Sequence, residues 1–207
     1  MKNFPKALAA LAALSFVGTS AFAQLNVNGT ITTTSCALGV TTSATGTSAT
    51  TATVTLPNLI SANTRLGAGG TVGPFQDAAL NTIFYVKPTS VTCAVPVGSA
   101  AGTFNVYFST NTTDTVATTK AANTAAVATR ATNLVIDLVP TGGTTTAPLT
   151  TGIDITQATP ASQHGLANAI IQTGASLSFN ARYYKTTTTA TTGTTVAAVY
   201  TLNNVYP

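Results

Sequence analysis

Apolar residues in this chain recur with period two, and that pattern limits what it can fold into more than any other feature. Successive side chains of an extended strand point to opposite faces, so an apolar residue at every second position marks a strand with one buried face. Leu25, Val27 and Ile31 alternate with Asn26, Asn28 and Thr30, and Phe104, Val106 and Phe108 alternate with Asn105 and Tyr107. Further strands are predicted over residues 51–56, ending at Pro57, and over 82–86, stopping near Pro88. Two more are predicted from Leu177 and Phe179 through Arg182 to Tyr184, and over 196–205. Residues 133–139 are nearly all apolar, which predicts a buried strand closed by Pro140. The many Thr and Val residues are β-branched and suit strands.

Turn-forming clusters separate these runs. Residues 43–50 are rich in Thr, Ser and Gly, residues 67–74 hold four glycines and a proline, and Gly142-Gly143 sits within 141–146. The Ala/Thr-rich stretch 110–132 has room for a short helix or a loose loop. The Thr tract 186–195, with Gly193, is placed to be a hairpin tip. No long amphipathic helix, internal repeat or interdomain linker interrupts the pattern. The expected fold is all-β, a single β-sandwich domain.

The first 23 residues stand apart. Lys2 and Lys6 precede an apolar run over 7–17, and Ala21-Phe22-Ala23 precedes Gln24. A positive start, a short apolar stretch and a small-x-small site make a secretory signal peptide, too short to span a bilayer. Export is the expectation, with residues 1–23 removed. Cys36 and Cys93 then belong to an oxidising compartment, where an even count suggests a disulfide. It would close a loop of roughly 58 residues, a constraint of about 4 kcal/mol in the chain-entropy model. Two free thiols, or half of a metal site, are the alternatives.

Charge is scarce, at 6% of residues, and the chain has no Glu. The net charge falls from +4 to +2 once Lys2 and Lys6 leave. The remaining cations, Arg65, Lys87, Lys120, Arg130, Arg182 and Lys185, are scattered singly, so no basic run tracks a phosphate backbone and no nucleic-acid partner is expected. Lys120 and Arg130 fall in the polar 110–132 stretch, where a solvated face is the default reading. Enzymatic chemistry has no visible site. His164 is the single histidine and sits in a polar loop context, and Asp77, Asp114, Asp137 and Asp154 lie far apart in sequence. The glycines of 67–73 lack the Lys-Ser/Thr ending of a phosphate loop. No catalytic residue, cofactor or metal is assigned.

Motifs at both ends carry a resemblance. Gly29 lies seven residues before Cys36, Val54-Thr55-Leu56-Pro57 closes a strand after it, and Cys93 follows at the spacing of a second cysteine. Phe179-Asn180-Ala181-Arg182-Tyr183 stands near the end, and Tyr206 follows alternating apolar residues. In this order, over essentially the whole mature chain, the layout resembles pilin subunits of the chaperone–usher, type 1 fimbrial family. The Tyr-Pro ending is similar to Bordetella-type fimbrial subunits. The resemblance implies an immunoglobulin-like sandwich that lacks its last strand, residues 36–207, behind a donor-strand extension over 24–35. Leu25 and Val27 would be the donor side chains, with Gly29 and Ile31 leading into the first strand. Val196, Ala198, Tyr200, Leu202 and Tyr206 would line one wall of the acceptor groove, and Asn204 breaks that apolar set. The carboxylate of Pro207 would anchor the subunit to a periplasmic chaperone. Neighbouring subunits, the chaperone and an outer-membrane usher are the implied partners, and a fimbria on the bacterial surface that supports adhesion is the implied destination.

One departure from the family stands out. Cleavage after Ala23 leaves only residues 24–28 ahead of Gly29, a short extension without the family's central Gly. Either cleavage falls earlier and keeps residues 21–23, or the polymer contact is weaker, or the subunit is atypical. Two other functions remain in view: a minor or tip adhesin that binds a host receptor, for which the chain has room for one domain only, and a self-sufficient secreted sandwich that never polymerises.

Overall fold

The computed structural model describes residues 21–29, 38–59, 62–89, 105–141, 152–157, 163 and 176–205. Among the described residues the elements are nine strands and two short 3₁₀ turns. The strands are β1 (Ala21–Gly29), β2 (Leu38–Thr41), β3 (Thr51–Leu59), β4 (Gly73–Pro74), β5 (Thr82–Pro88), β6 (Asn105–Ser109), β7 (Leu134–Pro140), β8 (Leu177–Lys185) and β9 (Val196–Val205). They form two sheets over one core, a β-sandwich. The first sheet has the order β3-β1-β9-β6, and the second runs β2-β5-β8 with β4 and β7 also on β8.

Period-two alternation explains which faces meet. Ala23, Leu25 and Val27 of β1 are buried with Val196, Ala198, Tyr200 and Leu202 of β9, while the residues between them are not. Phe108 of the first sheet sits edge-on to Phe179 of the second at 5.0 Å, and Phe84 stacks on Phe179 at 5.7 Å. Edge-to-face and offset contacts of this kind add to the burial of the rings themselves. β7 is buried on both faces, as its apolar run predicts. Proline is tolerated in β3 because β3 is an edge strand. Its register against β1 slips between Ala21 and Ala23, which pair with Leu59 and Leu56. The resulting bulge at Pro57-Asn58 turns Leu59 back into the core after Val54 and Leu56.

Several sequence expectations are corrected. The tract 186–195 is not a hairpin tip, because β8 and β9 lie in different sheets and the tract crosses between them. Arg130 backbone bridges to Thr195 and Gly193 packs against the Arg130 carbonyl, where a Cβ would come within 2.0 Å at a φ of +80°. β2 and β4, too short to show a period, were not legible. Residues 110–132 form neither a helix nor a loose loop among the described residues. They are a folded connection held by the Thr113–Ala121 bridge, with Lys120 and Ala121 buried. Cys36, Cys93, Ile31, His164, Tyr206 and Pro207 lie outside the described residues.

Two tyrosines brace the layers from opposite sides. The Tyr183 hydroxyl of β8 donates to the Pro57 carbonyl of β3 at 2.9 Å, and that of Tyr200 on β9 donates to the Ile136 carbonyl of β7 at 2.7 Å. Burial pushes both phenols well above the ordinary value of 10.0. An unfolded phenol ionises near that value while the folded one stays protonated, so the unfolded state sheds protons first and stability falls as pH rises above it. Alkaline titration of urea stability should therefore show a steep loss beginning near pH 10. The double variant Tyr183→Phe/Tyr200→Phe should flatten that slope while costing about 1 kcal/mol per lost hydrogen bond at neutral pH. An unchanged slope in the double variant would show that other groups drive alkaline unfolding.

Candidate functional site: the N-terminal strand and its slot

The N-terminal strand is a central strand, and this is the feature around which a function can be built. β1 pairs antiparallel with β3 and parallel with β9. Its parallel register sets Ala23 opposite Val196, Leu25 opposite Ala198, Val27 opposite Tyr200 and Gly29 opposite Leu202. The structure thus brings the described members of the two sequence-predicted sets, at opposite ends of the chain, onto adjacent strands. Ala23, Leu25 and Val27 are completely buried. On the solvent side, Asn26 accepts a hydrogen bond from Thr53 at 3.1 Å.

β1 is the first of the described strands, so it can leave without unthreading any of them, whereas β3 lies between folded stretches. Leaving strips β3 of its sheet partner and opens one edge of β9. Unpaired backbone N–H and C=O groups are costly when kept from water. Burying Leu and Val side chains contributes about 1.5–3 kcal/mol each. Against a typical stability of 5–15 kcal/mol, an empty slot would remove most of what holds a domain together. The space between β3 and β9 is therefore stable only when a strand fills it.

The other sheet is locked by charge. Asp137 on β7 accepts a hydrogen bond from Arg182 Nε on β8 at 2.9 Å and forms ion pairs with Arg182 Nη2 at 2.8 Å and, through its second oxygen, with Lys120 Nζ at 2.7 Å. Lys120 also donates to the Ile153 carbonyl at 2.7 Å, while the Ile153 amide donates to Leu138 on the β7 edge at 2.7 Å. Lys120 is thus a buried strut and not part of a solvated face. Arg130 stays exposed, its Nε donating to the Ala125 carbonyl. Gly152 is required beside Asp137, since a Cβ there would meet the carboxylate at 1.9 Å. Lys120, Asp137, Gly152 and Arg182 line a cavity of about 340 Å³, and Asp154 lines it with them. Burial pushes its carboxyl up, but hydrogen bonds from Thr156 and Gln157 and the Lys120 charge outweigh this and leave it below the usual value.

The remaining carboxylates have local tasks. Asp77 caps the 3₁₀ turn Ala78–Leu80, and Asp114 accepts from the amides of Val116 and Ala117. Sequence reasoning missed the ion cluster because Lys120, Asp137 and Arg182 are distant along the chain; the lone Asp inside an apolar strand was the one available signal. It also missed Gln163, whose buried side-chain amide accepts from the Phe108 N–H at 2.7 Å and donates to its carbonyl at 2.6 Å, closing the β6 edge as a neighbouring strand would. No known family model and no curated protein matches the chain.

Two substitutions separate the slot from the lock. Leu25→Ala should cost about 2–5 kcal/mol in urea denaturation through the cavity it leaves, and an added peptide of residues 24–34 should restore much of that loss. Asp137→Asn strands the buried Arg182 and Lys120 charges and should cost about 3–5 kcal/mol. The same peptide should restore none of it, and equal rescue of both variants would contradict the division of labour between the sheets.

Proposed function

We propose that the chain is a structural subunit of a bacterial fimbria that polymerises by donor-strand exchange and supports cell adhesion. The observation that carries this reading is the placement of β1: an apolar N-terminal strand fills the centre of a sheet between β3 and β9. If the same strand of one copy fills the slot of the next, each subunit both gives and receives a strand. That contact is head to tail and does not close, so it builds a filament.

In this reading the domain is immunoglobulin-like, and it is complete only when β1 or an equivalent strand lies in the slot. The leader directs export, a periplasmic chaperone shields the slot in transit, and an outer-membrane usher passes subunits to the growing fibre. The scarcity of charge, 6% of residues, suits a surface meant to associate. The family-like motifs support the same reading, because Leu56-Pro57 lies on β3, Phe179 to Tyr183 lies on β8, and both strands pack around the slot.

Incubating the purified mature chain at high concentration tests this directly. Linear oligomers should grow over time in light scattering and electron microscopy. Val27→Asp, which puts a charge where a fully buried side chain sits, should abolish growth, and excess peptide of residues 24–34 should cap it. A chain that stays monomeric at every concentration, with or without the peptide, is a self-sufficient sandwich and the reading fails.

A further inference from the structure

The ion cluster of the second sheet borders a cavity that has no part in strand pairing. Alternate residues of β8 face opposite ways. Ala181 and Tyr183 join the core, so Arg182 and Tyr184 face outward, and Asp137 of β7 lies directly opposite Arg182. An outward face normally meets water, yet Asp137 and Arg182 are almost wholly buried, and Lys120 nearly so. These three form the inner wall of the cavity of about 340 Å³, and half-buried Thr119, Asp154 and Tyr184 form its rim. That volume is at the small end of ligand pockets and suits one ring rather than a chain of them.

Buried polar atoms are normally hydrogen-bonded. Asp137 Oδ1 departs from that rule: it has its ion pair with Lys120 but receives no hydrogen bond among the described residues. Gly152 stands beside it without a side chain, on the same cavity. Lys120 has three N–H donors, and the Ile153 carbonyl takes one. A buried acceptor next to an ammonium suits a group that donates and accepts at once, and a hydroxyl is such a group. At the rim, Asp154 accepts from Thr156 and Gln157 and still has lone pairs to offer. The Tyr184 ring, 6.0 Å from Lys120 Nζ, adds a flat apolar surface.

Charge narrows the ligand further. Lys120, Arg182, Asp137 and Asp154 line the cavity, so its formal charge is zero. An anion would meet Asp154, a cation would meet Lys120, and either would unbalance charges already held from water. A neutral ligand rich in hydroxyls meets neither penalty. We propose that the cavity binds one neutral sugar ring, its hydroxyls bridging Asp137, Lys120 and Asp154 and its apolar face lying on Tyr184. The pocket needs only the fold; its use in adhesion rests on the fimbrial reading, to which it adds a receptor class and a site repeated on every subunit.

Amide NMR of the purified mature chain, titrated with the methyl glycosides of glucose, galactose and mannose, tests this. N-acetylneuraminic acid and choline serve as charged contrasts. At least one neutral glycoside should bind saturably in the low millimolar range expected of so small a ligand, and should shift the amides at 119–120, 152–154 and 184. Tyr184→Ala and Asp154→Asn should each weaken binding at least about fivefold. Asp154 is at the rim and outside the ion cluster, so its variant keeps the comparison valid if Tyr184→Ala does not fold. No binding by any of the three glycosides, tighter binding of a charged probe, or undiminished binding by the folded variants overturns the proposal. Linear oligomers that bind no sugar tell against the pocket alone. Sugar binding by a chain that stays monomeric upholds the pocket and tells against the fibre reading.

Discussion

Everything in the first sheet depends on the backbone pairing of one strand by two neighbours. β1 is the sheet partner of β3 and covers one edge of β9, and it fills the space between them with Ala23, Leu25 and Val27. A strand in that position contributes twice. Its main chain satisfies donors and acceptors on both flanks, and its inward face completes the core. Neither flanking strand is joined to it by a short turn, since β2 intervenes before β3 and nearly every other strand before β9. Parallel pairing with β9 makes the point plainly, since almost the whole chain separates the two strands.

The two sheets are built on different principles. The second is fastened internally. Asp137 ties β7 to β8 through Arg182 and to the 110–132 connection through Lys120, and Gly152 packs directly against the carboxylate. Removing Asp137 from this cluster leaves two buried cations without a counter-charge. Lys185 adds a similar anchor, its buried ammonium donating to the carbonyls of Arg65 and Gly67. Burial and the neighbouring Arg65 charge lower its pKa. The first sheet has no comparable fastening among its described residues. Its cohesion comes from main-chain pairing and apolar fit, both of which another strand of similar pattern can reproduce.

This asymmetry gives the fold one half fastened by buried charge and one half held by strand pairing and apolar fit. The tyrosine braces, Tyr183 to Pro57 and Tyr200 to Ile136, hold β3 and β9 to the locked sheet across the core. The two strands that flank β1 therefore each have a second attachment, across the core. On the far edge of the first sheet, Gln163 satisfies both backbone groups of Phe108, so a strand seeking a partner meets a closed position there.

The sequence by itself determined the strands whose signal is local. β9 spans the run of alternating apolar residues read for it, and β5, β7 and β8 follow theirs within a residue or two, because period two and proline punctuation act between near neighbours. It also marked Leu25, Val27, Val196, Ala198, Tyr200 and Leu202 as inward-facing. Only the tertiary structure decided which strands pair, that the 186–195 tract crosses between sheets, and that Lys120, Asp137 and Arg182 meet. It also decided that β1 reaches back into residues read as leader. The physical reason is the same in each case. Alternation fixes which side of a strand faces inward, but the choice of neighbour is made by backbone groups that are alike at every residue, and buried charges find partners by geometry that separation along the chain does not record.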